Sequence, residues 1–388
     1  MFSFLASLRL SHISSGFIAV LVGYTSSVAI VFQAANAAGA DQALINSWLL
    51  ALGLGMAATC IALSFYYKTP ILTAWSTPGA AMLATALVDV PMNEAVGAFI
   101  FSGLLITLSG ITGSLDRLSK LIPPPIAAAM LAGVLMPFCL EIFKYLQQEF
   151  ALVALMCVTY LLGKRLFPLY AIPLVLVVGG IAAWSMGLFE TRQLDFEIAS
   201  FVFTMPTFSM TSLISIGIPL FIVTMSSQNM PGIATMHTAG YRPPLSPIIT
   251  TTGITTMLLA PFGGFAFNLA AITAAICMEK DADPNRETRY LAAVSAGVFY
   301  FIAALFGATV VALFSMSPKA LILPLAGLAL IGTLGNSLAI ALDKPLHREA
   351  ALVTFLVTVS GVVFFGVGAA FWGLIAGLLV QKVLQFRS

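Results

Sequence analysis

Charge is what this 388-residue chain has least of: Asp, Glu, Lys and Arg make up 8% of it, hydrophobic residues 60%, and the mean hydropathy is +1.03. Soluble domains draw about a quarter of their residues from those four types, so the composition excludes them and indicates a polytopic membrane protein. The 17 basic residues are scattered and leave a net charge of only +2, which excludes a basic patch for nucleic acid. Cysteine is scarce as well. Cys60, Cys139, Cys157 and Cys277 all lie in apolar runs without CxxC or Cys/His spacing, so neither a metal site nor a disulfide framework is expected. Serine-hydrolase, nucleotide-binding and zinc spacings are also missing; a non-enzyme without cofactor is expected.

Acidic residues are missing from one further place, the middle of every apolar run. Asp89 and Glu94 fall in a loop, Glu141 and Glu149 flank runs, and Glu279 opens a charged loop. Because an ion in hydrocarbon is costly, a cation carrier is expected to show an intramembrane Asp or Glu. Its absence points to an anionic or neutral substrate.

What the chain does have is apolar windows, at 14–36, 44–66, 69–88, 93–113, 122–142, 150–164, 168–188, 211–238, 245–259, 261–278, 290–314, 319–341, 349–366 and 368–385. That is fourteen spans. The first ends in Ala35-Asn36-Ala37, which imitates a leader cleavage site, but its length of about twenty residues and its polar Thr25-Ser26-Ser27 centre favour a span. With the N-terminus inside, fourteen of the basic residues fall on the cytoplasmic side and only Lys144, Arg192 and Lys319 outside. Both termini are therefore expected in the cytoplasm, with Lys120 and Arg289 inside and Glu94 and Glu190 outside. Seven is odd, so a second copy of a seven-span unit must be inverted. Three echoes support halves at roughly 1–195 and 200–388. Ser26-Ser27 with Ala38-Gly39 matches Ser226-Ser227 with Ala239-Gly240, Pro124 with Leu131-Ala132-Gly133 matches Pro318 with Leu325-Ala326-Gly327, and spans 3 and 10 are both broken.

Span 3 is where chemistry is expected. Thr69 to Trp75 is rich in β-branched and aromatic residues and reads as extended, and Pro78 after Thr77, a candidate cap, starts a helix of about ten residues. Such a helix covers roughly 15 Å, half of a hydrocarbon core, so its N-terminus lies deep in the membrane. Span 10 repeats the order of events, with Pro261 and Gly263-Gly264 before an apolar small-residue helix. Two helix N-termini offer N–H donors and positive dipole ends to a carboxylate, and glycine permits close approach. The candidate cradle is Thr77, Pro78, Gly79 and Ala80 with Gly263 and Gly264. Ser26, Ser27 and Gln33 on span 1, and Ser226, Ser227, Gln228 and Asn229 on span 8, are candidates to complete it; interhelical hydrogen bonding is the ordinary alternative for each. Trp75, Phe262, Phe265 and Phe267 bracket the cradle and could stack on an apolar ring, packing being the alternative. His237, read as the only histidine near a span interior, is a candidate proton relay or an interfacial residue.

SSVAIVFQAA in span 1, KTPILTAWSTPGAA in span 3, TMSSQNMPGIATMHTAGY in span 8 and APFGGFAFNLAAITAAIC in span 10 together resemble the benzoate/proton symporter family, BenE-like, over nearly the whole chain. The resemblance implies the fold shared with uracil permeases and sulfate-transporter-like carriers: all-α, fourteen transmembrane segments in a seven-plus-seven inverted repeat, the broken spans 3 and 10 each preceded by a short β-strand. It implies a core domain of residues 1–118 and 201–316 and a gate domain of 119–200 and 317–388. Benzoate or a similar small anionic aromatic acid, imported with protons across a bacterial inner membrane, is the implied cargo, with Phe265 and Asn268 beside the site. One departure is Gly264-Phe265-Ala266-Phe267, where the family pattern carries histidine after the glycine pair. A nucleobase/proton symporter of the same fold and a passive anion channel stay open as alternatives, as does assembly as a homodimer in the lipid bilayer.

Overall fold

The computed structural model describes residues 8–113, 122–189 and 199–385. Lys120 and Glu190, two of the residues expected to mark sidedness, lie outside the described residues, as does the expected 118/119 domain boundary. The described elements are α1 (Leu10–Ala37), α2 (Gln42–Tyr67), β1 (Thr73–Trp75), α3 (Thr77–Ala86), α4 (Met92–Thr112), α5 (Pro124–Gln148), α6 (Phe150–Leu166), α7 (Ala171–Ser185), α8 (Met210–Thr238), α9 (Leu245–Leu259), β2 (Phe267–Leu269), α10 (Ile272–Met278), α11 (Tyr290–Leu305), α12 (Gly307–Met316), α13 (Lys319–Asp343), α14 (Arg348–Val359) and α15 (Ala369–Gln385). The fold is mostly helical.

Among the described residues eight helices are long and apolar enough to cross a membrane, and a ninth if α11 and α12, bent by 64° at their junction, count as one crossing. The outward faces of α6, α7 and α9 carry Leu161, Leu162, Trp184 and Leu258, all more than half exposed, as a lipid-facing surface requires. The chain is a multi-pass membrane protein. Helix ends follow local chemistry: Asp41 accepts the Leu44 N–H at 2.8 Å to open α2, and Gly113, at φ 61°, closes α4. Inside α8 the turns Leu213–Gly217 and Met225–Asn229 are π-helical, each two residues before a proline, Pro219 and Pro231. Proline lacks an N–H and displaces the carbonyl four residues back, so the preceding turn widens.

The two strands pair antiparallel, Thr73 with Leu269, Ala74 with Asn268 and Trp75 with Phe267. Ser76 N–H to the Ala266 carbonyl at 3.1 Å and Ala270 N–H to the Leu72 carbonyl at 2.9 Å extend the ladder, so this non-helical backbone is satisfied although buried. Each strand is followed by a short helix, α3 and α10. Two expectations change here. Ser76, not Thr77, caps α3: its hydroxyl accepts the Gly79 N–H at 3.0 Å, and Thr77 is the first helical residue. The helix expected to start at Gly263-Gly264 starts at Ile272 instead. Gly263, at φ 91°, ends a turn over Ala260–Phe262, and Ala266, at φ 44°, turns the chain into β2, so the strand follows the glycine pair.

The helices pack in pairs. The most extensive contacts join α5 to α13, α4 to α9, α2 to α11 and α14 to α15, and α1 lies against α3, α10 and α11. Trp48 of α2, Phe99 of α4 and Phe265 form an aromatic triangle with centroids 5.6 to 5.7 Å apart at the heart of the buried core.

Candidate substrate cavity

A cavity of about 540 Å³ lies where α1, α3, α8 and α10 meet α6, α7 and α13. One wall is Val22 to Ser27 of α1, the end of β1 with Thr77 and Pro78, Gln228 of α8, and Ala271 to Thr273 at the start of α10; the other is Tyr160 and Lys164 of α6 and Leu328 to Asn336 of α13. Its deep end is buried, with Trp75 3% and Tyr24 8% exposed. It reaches the surface at Lys164, Pro168 and Leu169. No Asp or Glu lines it, among the described residues.

Many polar groups of the deep end are already paired. Trp75 Nε1 donates to Ser27 Oγ at 2.9 Å, and Ser27 Oγ donates to the Gly23 carbonyl at 2.7 Å. Ser26 and Ser227 likewise donate to carbonyls of their own helices, as threonine and serine do in apolar surroundings. In α3 the Ala80 N–H is bonded to the Ser76 carbonyl at 2.7 Å and the Gly79 N–H to the Ser76 hydroxyl, so Thr77 keeps the free N–H of that first turn. Among the donors left without protein partners there, among the described residues, are Thr77 with its N–H and hydroxyl, the Gln228 amide, the hydroxyls of Thr273 and Tyr300, and the Tyr24 hydroxyl, which is fully buried. Tyr24 is held by its ring, edge-on to Trp75 with centroids 5.2 Å apart.

Of the residues expected from sequence, Ser26, Ser27, Thr77, Pro78, Ser227 and Gln228 come together on this cavity. The others sit elsewhere. A Cβ on Gly79 would meet Leu220 and Ser76 at 2.8 Å, and Ala80 is fully buried. Gly263 lies against the Trp48 indole and Gly264 against Leu259, so their lack of a side chain serves packing. Phe265 is in the aromatic triangle, Phe262 stacks on Phe201 at 4.8 Å, and Phe267 lies against Gly55; of the expected aromatics, Trp75 reaches the cavity. Asn229 accepts the Leu269 N–H at 2.9 Å and so ties α8 to β2, while Asn268 donates to the Ala266 carbonyl at 2.9 Å. Gln33 lines a second cavity of about 460 Å³ with Phe32, Thr85, Phe138, Glu141 and Lys319. Buried Ala29, Ile30, Ala81, Leu325 and Ala326 lie along α1, α3 and α13 between the stretches that line the two cavities.

His237 is exposed near the end of α8 and does not line the cavity. The buried histidine is His12, in the first turn of α1, whose Nε2 lies 2.8 Å from Asp283 Oδ2. Burial alone would raise the Asp283 carboxyl, but hydrogen bonds from Thr288, the Asn285 N–H and His12, with the charge of Arg9, hold it below the usual carboxylate value. Sequence reasoning missed Tyr24, Tyr160, Thr333 and Asn336. The signal for Tyr24 was its position three residues before Ser27, on the same helical face. Lys164 had been read only as a marker of sidedness.

The benzoate membrane transport protein family profile matches residues 6–383. The chain is 46% identical to the inner membrane protein YdcO of Escherichia coli (strain K12) over 96% of its own length and 95% of that protein's. It is 40% identical to the benzoate membrane transport protein of Acinetobacter baylyi, over 97% and 95%. In fold it is similar to the transmembrane domain of the cyanobacterial bicarbonate transporter BicA, with TM-score 0.59, 14% identity and coverage of 96% of this chain and 98% of that one. It is similar also to the murine anion transporter Slc26a9 in its inward-facing state, with TM-score 0.57, 11% identity and coverage of 99% and 70%. With a match that runs from residue 6 to residue 383, the chain belongs to the benzoate membrane transport protein family.

Proposed function

We propose that the protein carries benzoate or a similar small aromatic carboxylate across the bacterial inner membrane together with protons. The observation that carries this reading is the set of unpartnered donors at the deep end of the cavity. A carboxylate is an acceptor only, and Thr77, Gln228 and Tyr24 offer it hydrogen bonds that the protein does not use, beside the positive end of the ten-residue helix α3. A buried hydroxyl left without a partner costs about 1–3 kcal/mol, which a bound anion would offset. The Trp75 and Tyr24 rings supply an apolar wall for the ring of the acid.

The same reading takes the chain as fourteen crossings in two inverted seven-span halves. The helix pairs support it: exchanging the halves turns the α4–α9 contact into α11–α2 and returns α5–α13 and β1–β2 to themselves, as a pseudo-two-fold axis in the membrane plane requires. The cavity then separates a core domain (1–118 and 201–316) from a gate domain (119–200 and 317–388), with both termini in the cytoplasm. Gly79, Ala80, Gly263, Gly264, Phe265, Asn229 and Asn268 hold the backbone that shapes the site.

Uptake by proteoliposomes tests the function. Labelled benzoate should accumulate above equilibrium under an inward proton gradient and not with the gradient collapsed. Gradient-independent equilibration would mean a passive channel, and gradient-driven accumulation of a labelled nucleobase but not of labelled benzoate would mean a nucleobase carrier.

A further inference from the structure

Lys164 stands apart from the groups used so far. It is the one charged side chain lining the larger cavity, among the described residues, and no acid or carbonyl there pairs with it. Its ammonium lies across the cleft against α13, since a Cβ built on Gly332 would stand 4.0 Å from Lys164 Nζ. Tyr160, one turn earlier on the same face of α6, also lines the cavity, and opposite them Thr333 and Asn336 present side chains without protein hydrogen bonds. The deep end holds neutral donors and the mouth holds a cation with polar neighbours on two helices.

We propose that Lys164, Tyr160, Thr333 and Asn336 form a second, carboxylate-docking subsite at the mouth of the cavity. It rests on the aromatic-carboxylate function proposed above. A lysine ammonium is a compact charge with three donors, and with no acid on the walls its field acts on whatever anion enters. Such a charge gathers anions at the mouth, raises their rate of arrival and is weakened by salt. The carboxylate of the aromatic acid passes between this ammonium and Thr77, Gln228 and Tyr24: import runs from the deep donors to the ammonium and out, and binding from the mouth runs the same exchange in the opposite direction.

The test is the rate at which benzoate quenches tryptophan fluorescence of the purified full-length protein, Trp75 being in the cavity wall. Association is compared at low salt, about 20 mM, and high salt, about 500 mM. Lys164→Gln should slow association about 3- to 10-fold at low salt and abolish its salt dependence, while Lys164→Arg keeps both near wild type. Asn336→Asp, which puts a carboxylate on the facing wall one turn from Gly332 without altering α6, should reproduce the loss. Association in Lys164→Gln at the wild-type rate and with wild-type salt dependence would overturn the subsite while leaving the proposed function standing. No response of the wild-type protein to benzoate would overturn both.

Discussion

Trp75 donates its indole N–H to the Ser27 hydroxyl at 2.9 Å, and this bond ties the end of β1 to α1 at the floor of the cavity. The hydroxyl is fully used, since it donates in turn to the Gly23 carbonyl. Ser27→Ala should therefore act on stability, leaving a buried N–H unpaired at a cost of about 1–3 kcal/mol. Thermal unfolding is expected to show the loss in Ser27→Ala and recovery in Ser27→Thr, whereas Ser26→Ala, which frees only a local helix carbonyl, should change little.

The glycine pair makes a different prediction from the one a ligand cradle would. Gly263 has φ 91° and the Trp48 indole where a Cβ would be, and Gly264 meets Leu259. Gly263→Ala then costs about 1–2 kcal/mol of backbone strain before any clash is counted. The yield of folded protein should fall in Gly263→Ala and Gly264→Ala, and the fraction that does fold should bind substrate with wild-type affinity.

Asp283 gives a pH dependence with a defined sign. Its folded value lies below the ordinary one, so its contribution to stability is complete above the unfolded carboxylate value, about 4, and is lost as the pH falls through the folded value. Melting temperatures should show a constant advantage of wild type over Asp283→Asn from pH 7 to about 5, shrinking below about 4. An advantage that instead grew as the pH fell from 7 to 5 would place the titration on His12, whose protonated form the Asp283 carboxylate favours.

His237 is exposed and off the cavity wall. His237→Gln should leave proton-driven benzoate uptake within about twofold of wild type, a change of under 0.5 kcal/mol. A variant that still equilibrates benzoate but no longer concentrates it would assign the relay to His237.

Much of this was legible in the sequence because membranes leave few options. A proline after Ser-Thr in an apolar run fixed where α3 begins, and the β-branched stretch before it fixed the extended approach. The second broken stretch was misplaced at the glycines because Gly-Gly after proline signals a turn equally well before a strand and before a helix. Only the register with β1, Trp75 opposite Phe267, decides between them. Ser76 and Thr77 are both competent caps, and which one caps depends on one backbone angle. The role of Tyr24 was hidden for another reason: a tyrosine in an apolar helix usually packs, and its unpartnered hydroxyl is a property of what α1 faces. Lys164 was counted as loop charge because α6 ends there; that its ammonium crosses to α13 is tertiary information.

The most direct measurement is the affinity of purified protein for benzoate in wild type, Tyr24→Phe and Thr77→Val, with melting temperature recorded for each. Tyr24→Phe removes a buried hydroxyl that has no protein partner, so stability should hold or rise while affinity falls about tenfold, or 1.4 kcal/mol. Thr77→Val should do the same, because Ser76 rather than Thr77 caps α3. Wild-type affinity in both variants, in folded protein, would contradict a carboxylate bound at the start of α3.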